Sequence, residues 1–214
     1  MQEKTTLTLR HTASRVLHTY ADVRIGATKA EKHCHKTSDT VLLTFDDYGT
    51  PEEINDLLNI LADKGVKAMF FVIGSWADEH PELVAQIAAA GHELGNHTYS
   101  HPNLLRLSDA AILEEVDKGI RSRWLRAPQG RSNRHISRLL REQRGMALCY
   151  WTIDSRDWTG ASVAEMRHTI MHEAKPGAVV LFHMHGTYTR QLLPGLIDEL
   201  RSSGHHLTDM TEQW

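Results

Sequence analysis

Two spacings of apolar residues alternate along this chain from Val41 onward. Short continuous apolar runs, such as Val41, Leu42 and Leu43, are typical of strands buried on both faces of a parallel sheet. Between these runs, apolar residues recur every three or four positions, as they do along the buried face of a helix. The predicted strands cover residues 41–48, 68–73, 92–95, 123–126, 147–153 and 178–182.

Local signals mark the ends of the intervening helices. Thr50 with Glu53, and Ser162 with Glu165, have the spacing of a capping box, in which each side chain accepts a hydrogen bond from the other residue's backbone amide. Ser108 is the predicted N-cap of another helix. Glycines 65, 91 and 145 end three helices. The predicted buried faces contain Ile54, Leu57, Leu58 and Leu61; Leu83, Val84 and Ile87; Ile112, Leu113 and Val116; Ile136, Leu139 and Leu140; and Leu196, Ile197 and Leu200.

This alternation of strands and helices predicts an α/β fold with a parallel sheet and right-handed crossovers. Six or seven such units fit a closed or nearly closed barrel better than an open sheet, which remains the alternative. Residues 1–39 are polar and weakly patterned, with a short alternating stretch at residues 5–10 that a strand would show. We therefore expect an N-terminal extension over residues 1–39 and one domain over residues 40–214.

Composition narrows the range of partners. The chain has 214 residues, enough for one substantial core, and a net charge of −3, which gives no electrostatic footprint for nucleic acid. No apolar run approaches the roughly 18 residues of a membrane span. Residues 1–39 lack the apolar core of a signal peptide, so we expect either a protein inside the cell or one whose leader is not in this sequence. A monomer is expected.

The two cysteines, Cys34 and Cys149, show no spacing from which a pairing can be inferred. Cys149 lies in an apolar run and is expected to be a buried thiol, and no disulfide framework is implied. His33, Cys34 and His35 form a short cluster of metal-binding residue types, but no second cluster lies at finger-like spacing. A solvated turn is therefore favoured over a structural metal site.

Candidate chemistry begins where the first predicted strand ends. Asp46 and Asp47 are adjacent carboxylates whose charges repel, so a cation is expected near at least one of them. His97 and His101 lie at i and i+4 and share one side if their loop makes a helical turn. Two histidines and one carboxylate, from Asp46 or Asp47, leave coordination positions open, as in a catalytic zinc site. The alternative for the histidines alone is two surface residues flanking a tyrosine.

Three other strand ends contribute polar residues. Arg126 follows a short apolar run and is placed to pair with the aspartate that does not bind metal. Asp154 and Asp157 follow the strand that contains Cys149, where they equally suit a helix cap. His183 ends the strand that begins at Ala178, and a structural histidine is the alternative there.

Taken in order, these segments resemble the polysaccharide deacetylases of carbohydrate esterase family 4, which share the NodB homology domain. The resemblance covers about residues 40–214. The segments that support it are Thr44-Phe45-Asp46-Asp47, Phe70 to Trp76, Gly91 to His97, His97-Thr98-Tyr99-Ser100-His101, Arg126-Ala127-Pro128-Gln129-Gly130, Asp154 to Trp158, and Leu181-Phe182-His183. The resemblance implies a distorted (β/α)7-type barrel of parallel strands with outer helices. It also implies metal-dependent removal of N- or O-acetyl groups from an acetylated carbohydrate. The implied cofactor is one divalent metal ion, with zinc favoured over other metals.

The resemblance also implies roles for individual residues. Asp47, His97 and His101 match the metal ligands, and Asp46 matches the general base. The remaining matches are Arg126, which steadies the base; His183, the general acid; Asp157, which tunes that histidine; Trp158 and Leu181, which form walls around the acetyl group; and Gln129, whose backbone amide stabilises the oxyanion. Family members often act outside the cell or in the cell envelope, and a cytoplasmic location stays open.

The sequence departs from the family pattern at three places. Gln129 stands where an aromatic residue is usual, Met184 stands where an aspartate is common, and the segment between His101 and Arg126 is short. These departures affect substrate preference more than proton transfer. Two alternatives to a deacetylase remain, namely a metal-independent hydrolase of cyclic imides or ureides on the same fold and a carbohydrate-binding module without catalysis.

Overall fold

The computed structural model describes Cys34 and residues 39–208 of the 214-residue chain. The strands are β1 Thr40–Asp47, β2 Met69–Val72, β3 Glu93–Asn96, β4 Trp124–Leu125, β5 Ala147–Leu148, β6 Ile153–Asp154, β7 Val179–His183 and β8 His206–Leu207. The helices are α1 Pro51–Asp63, α2 Gly74–Glu79, α3 Pro81–Ala89, α4 Asp109–Lys118, α5 Arg134–Arg144, α6 Val163–Glu173 and α7 Thr189–Ser202. The predicted strand at residues 5–10 and the predicted turn around Cys34 lie outside the described residues, apart from Cys34 itself.

All strand pairs are parallel, and the sheet order is β5-β4-β3-β2-β1-β7-β6, with β8 beside the start of β1. Strand β1 therefore lies between β2 and β7, with Asp46 opposite Phe71 on one side and His183 on the other. The curved, seven-stranded half-barrel with outer helices confirms the predicted distorted (β/α)7 architecture. Because the strands are parallel, their carboxyl ends meet at one edge of the sheet.

One predicted strand is wrong in an informative way. The apolar run at residues 147–153 forms two short strands, β5 and β6, which lie at opposite ends of the sheet order. Between them the backbone amide of Cys149 donates to the Leu125 carbonyl oxygen (2.8 Å), and that of Thr152 donates to the Val179 carbonyl oxygen (2.8 Å). This one segment connects the two end strands of the sheet. Each half contains buried residues, so the apolar run looks like one continuous strand in the sequence.

The core has two layers that follow from the two-residue period of β1. Leu43 and Phe45 face the helices, where the Phe45 ring stacks on Phe70 (centroids 5.0 Å apart) and Phe182 (5.6 Å). Leu42 faces the barrel interior. Each such fully buried side chain contributes roughly 1.5–3 kcal/mol to stability. The predicted helical faces are confirmed where Ile54, Leu57, Leu58 and Leu61 of α1 are buried, and both predicted capping boxes are present.

The cysteine expectation is wrong. Cys149 is buried as predicted, but it is not a free thiol, because it forms a disulfide with Cys34 across a sequence separation of 115 residues. Cys34 is itself fully buried and packs with Leu42, Met69 and Phe71 in the barrel interior. A pair brought together by the barrel interior leaves no local spacing by which sequence inspection could find it.

Within residues 39–208, no helix has both the length and the apolar composition needed to cross a membrane. Helix α2 and strand β8 are short elements that periodicity did not predict, since neither has enough residues to show a period.

Candidate active site

The two histidines of the β3 loop are brought together by a turn, and the expected helical turn is absent at residues 97–101. Thr98 and His101 have positive φ angles of 65° and 59°. The side chain of Asn96 supports the turn, since its Nδ2 donates to the carbonyl oxygens of residues 116 (2.9 Å) and 120 (2.8 Å), and its Oδ1 accepts from the Thr98 amide (2.8 Å). Glu115 of α4 accepts from the amides of residues 99 and 100. The turn places the two imidazole centroids 4.9 Å apart.

Asp47, His97 and His101 form a three-residue cluster whose ligand atoms lie within 4.8 Å of one another. Nε2 of His97 is 3.2 Å and Nε2 of His101 is 3.4 Å from Oδ1 of Asp47. His97 Nδ1 donates to the carbonyl oxygen of Arg126 (2.7 Å), so the Nε2 of a neutral His97 carries a lone pair toward the carboxylate. Two lone pairs facing each other at this distance require a cation or proton between them.

A second observation shows that this cluster suits a metal ion. Oδ1 of Asp47 is buried and accepts no hydrogen bond from the part of the chain that the structure describes. Burial disfavours the ionised Asp47, but the hydrogen bond from a protonated His97 and the charges of His97, His183 and His101 in their protonated forms outweigh it and lower the pKa to about 2. Burial, together with His97, lowers the pKa of His101, which favours the neutral ring that a metal ligand must have. One anionic oxygen and two neutral nitrogens are the donor set of a catalytic zinc site.

Asp46 lies in a fully compensated environment. Arg126 is completely buried, and its Nη1 donates to Oδ1 of Asp46 (2.7 Å) and to Oγ1 of Thr44 (2.8 Å). Its Nε donates to the Cys149 carbonyl oxygen (3.2 Å), and the guanidinium lies 4.1 Å from the Phe71 ring centroid. Burial lowers the pKa of Arg126, while Asp46 opposes that shift. A buried charge pair with this many hydrogen bonds holds both groups in one orientation.

His183, which ends the strand next to β1, is oriented by Asp157. His183 Nδ1 donates to Oδ1 of Asp157 (2.8 Å), while Oδ2 of Asp157 accepts from the His183 amide (2.7 Å) and the Thr189 hydroxyl (2.8 Å). Burial lowers the pKa of His183, but the Asp157 contact, with Asp46 and Asp47, overrides it and raises the pKa to about 9. A Cβ at Gly186 would overlap Asp157 and Thr189, so only glycine admits this carboxylate. Nε2 of His183 lies 3.9 Å from Oδ2 of Asp47.

Seven of the predicted site residues therefore meet at the carboxyl edge of the sheet. They are Asp46, Asp47, His97, His101, Arg126, Asp157 and His183. Leu181 is buried on β7 opposite Thr44. Trp158 is half exposed in the turn that contains Asp157, and Gln129 is exposed with a φ of 59° in the turn directly after Arg126. The roles of these last three residues in substrate binding stay predictions.

Sequence inspection missed several side chains that support the site. Thr44 precedes Asp46 by two residues and so shares its face of β1, a signal that could have identified it. Its hydroxyl accepts from Arg126 and donates to the Val180 carbonyl oxygen (2.7 Å). Thr189 and Glu115 contact their partners across loops, and nothing in their local sequence indicates those contacts.

Comparison with known proteins agrees with this arrangement. Residues 34–148 match a family model described as "Polysaccharide deacetylase". The chain is 36% identical over 154 residues to a chitooligosaccharide deacetylase of Bradyrhizobium sp. (strain ANU 289), covering 67% of this chain and 70% of that protein. It is 32% identical over 177 residues to a peptidoglycan-N-acetylglucosamine deacetylase of Bacillus cereus, covering 77% of this chain and 64% of that protein.

Solved structures show the same likeness. A family 4 carbohydrate esterase from Streptomyces lividans, in complex with acetate, superimposes with a TM-score of 0.73 at 27% identity, covering 82% of this chain and 96% of that one. A CE4 family pseudoenzyme from Bacillus anthracis superimposes with a TM-score of 0.74 at 29% identity, covering 79% of this chain and 63% of that one. Since the family model matches more than half of the sequence, the chain belongs to the polysaccharide deacetylase family.

Proposed function

We propose that this protein is a metal-dependent hydrolase that removes N-acetyl or O-acetyl groups from a carbohydrate such as chitin oligomers or peptidoglycan. One observation carries the proposal. Two oriented proton-transfer groups adjoin one cluster of metal-binding side chains. Oδ2 of Asp46 lies 3.9 Å from Nε2 of His97, and Nε2 of His183 lies 3.9 Å from Oδ2 of Asp47.

Asp47, His97 and His101 would hold the divalent ion, and zinc suits a set of two nitrogens and one oxygen. An ion held there would supply Lewis-acid chemistry for an acetyl carbonyl and for water. The His97 tautomer needed for binding is set by its hydrogen bond to the backbone of Arg126.

Asp46 is the proposed general base. The ion pair with Arg126 occupies Oδ1 and leaves Oδ2 directed toward the cluster. A carboxylate in this position accepts the proton that an attacking water must lose.

His183 is the proposed general acid. Its Nδ1 is engaged by Asp157, so Nε2 is the nitrogen free to deliver a proton toward the cluster. A proton is needed because the nitrogen of an amide leaves poorly as an anion. The pKa of about 9 ensures that His183 carries this proton at neutral pH. The backbone amide of Gln129 would donate to the developing oxyanion, as the family resemblance implies.

Family membership alone does not establish catalysis, because one structural neighbour is named a pseudoenzyme. The proposal therefore rests on the side chains of this protein. The Asp46–Arg126 pair, the His183–Asp157 pair and the three candidate metal ligands lie together in one site. The names of the relatives support N-acetylated sugar polymers as the substrate class.

The test is acetate release from a panel that contains chitin oligomers, peptidoglycan fragments and acetylated xylan. The protein is assayed after chelation and again after addition of zinc, with Asp46→Asn as the catalytic control. We expect zinc-restored release from at least one N-acetylated member. Equal release by the chelated protein would contradict the metal dependence, and no release from any member would leave the hydrolase of cyclic imides or ureides and the binding module as the two alternatives.

A further inference from the structure

The rings of Tyr48 and His185 stack just beyond the carboxyl ends of β1 and β7. Asp46 of β1 pairs with His183 of β7 in the parallel register. Tyr48 and His185 each lie two residues beyond these partners, at the ends of the two neighbouring strands. Their ring centroids are 4.9 Å apart and their planes differ by 19°. Nδ1 of His185 donates to the Tyr48 carbonyl oxygen (3.4 Å), which restrains the imidazole.

One ring of this pair is open to solvent. Tyr48 is 49% exposed, while His185 is half-buried. The His185 ring lies next to the acid, with centroids of His183 and His185 5.6 Å apart. A molecule lying on Tyr48 and His185 would therefore adjoin the reacting position without overlapping it.

Aromatic rings follow three strands that are neighbours in the sheet order. Tyr48, which is 49% exposed, follows β1, the half-buried His185 follows β7, and Trp158, which is 50% exposed, follows β6. The turn after β4 presents the exposed amide of Gln129, next to the half-buried Trp151 ring, which lies against Gly130. Exposed aromatic surface is thus offered on the β1–β7–β6 side, whereas the β4 turn presents an amide.

We propose that the Tyr48–His185 ring pair is the stacking surface for the sugar unit adjacent to the unit that is deacetylated. This inference rests on the proposed function, and it identifies the substrate as an oligomer or polymer of N-acetylated sugars. One face of a sugar ring is lined by C–H groups and packs against flat aromatic surface. Because the two rings already hold each other in place, little side-chain entropy is lost when a sugar binds.

The test measures binding of the N-acetylglucosamine tetramer by calorimetry, in zinc-loaded protein that carries Asp46→Asn so that the sugar is not consumed. In that background, Tyr48→Ala should weaken tetramer binding about two- to tenfold, if sugar stacking is comparable with aromatic pairing. Tyr48→Phe keeps the ring and should bind as the parent does. Tyr188→Ala removes another exposed tyrosine, 42% exposed at the start of α7, and serves as the matched control.

A second arm uses the N-acetylglucosamine monomer. The monomer cannot occupy the reacting position and the ring pair together, so Tyr48→Ala should reduce the ratio of tetramer to monomer affinity. Equal losses for both sugars, or an unchanged tetramer affinity in Tyr48→Ala, would overturn the proposal. A loss in Tyr48→Phe as large as in Tyr48→Ala would also overturn it, since it would implicate the hydroxyl group. Wild-type acetate release is measured in parallel, so its absence would count against the proposed function while the binding data still decide the stacking surface.

Discussion

Asp46 and Asp47 are neighbours on one strand, yet their carboxylates have different partners. Asp46 is neutralised by the buried guanidinium of Arg126, which is itself fixed by Thr44 and the Cys149 backbone. Asp47 contacts the histidine nitrogens, and its buried Oδ1 accepts no hydrogen bond from the residues that the structure describes. One carboxylate is compensated by an arginine of the protein, and the other is the carboxylate for which we propose a metal ion.

The backbone explains how adjacent residues reach the same site. Successive side chains of a strand point to opposite faces, so Asp47 ought to face away from Asp46. Its φ of 77° breaks that alternation and turns the carboxylate back, so that both aspartates approach Nε2 of His97, at 3.9 Å and 3.2 Å. Such a conformation costs roughly 1–3 kcal/mol in a residue other than glycine, and strain of this kind is concentrated at functional sites.

The largest expected effect comes from removing a ligand on the Asp47 side. His97→Ala should abolish stoichiometric zinc binding and with it acetate release, because it leaves two ligands for the ion. Elemental analysis of the purified variant, compared with His135→Ala on the exposed face of α5, measures this. Zinc content equal in the two variants would contradict the assignment of the cluster.

The next effect separates the two aspartates. Asp46→Asn should retain zinc, because Asp46 contributes no ligand atom, and should lose about 10²–10⁴-fold in kcat as a missing general base does. Asp47→Asn should lose zinc affinity instead. Zinc titration and acetate release on both variants decide the matter, and the opposite result would mean that the two roles are exchanged.

A third effect concerns the acid opposite Asp46. A His183 pKa raised above its ordinary value to about 9 means that the acid is protonated at neutral pH and is lost as pH rises through 9. Turnover should therefore fall on the alkaline side, and Asp157→Asn should move that fall toward lower pH. His183→Ala should reduce turnover by roughly 10² and remove the alkaline limb. A pH profile of unchanged shape in His183→Ala would exclude it as the acid.

A fourth effect tests the support beneath Arg126. The disulfide joins Cys34 to Cys149, whose backbone orients the guanidinium. Cys34→Ser should lower the free energy of unfolding by about 2–4 kcal/mol, a typical value for a disulfide, with a smaller loss of activity. Denaturant titration with and without reductant provides the measurement. Wild-type protein should respond to reductant and the variant should not, and insensitivity of the wild type would contradict the cross-link.

The smallest effect is expected at Gln129, whose exposed amide lies in the turn after β4. Gln129→Ala should change kcat and KM little, because the proposed oxyanion donor is the backbone amide. Gln129→Tyr adds a stacking surface and should lower KM for oligosaccharides several-fold with little change in kcat. Steady-state kinetics on a chitin oligomer measure both. Abolished turnover in Gln129→Ala, with zinc retained, would show that the side chain itself is catalytic.

Much of the fold was predictable because each local rule pointed the same way. Capping boxes at Thr50 and Ser162, the apolar face of α1 and the buried run of β1 all depend on residues within a few positions of one another. The strand predicted at residues 147–153 failed because burial on two different edges of the sheet produces the same apolar run as burial in one strand.

The candidate site likewise has features that the sequence predicts and features that it does not. The sequence alone determined which residue types stand at the carboxyl ends of the predicted strands, and seven of the ten side chains singled out there meet in the structure. Only the tertiary structure decided which aspartate Arg126 contacts, which atoms join the Thr189 hydroxyl to Asp157, and that Cys34 bonds to Cys149. These contacts join residues far apart in the chain, and their geometry depends on strand register and backbone angles such as that of Asp47, which residue spacing does not encode.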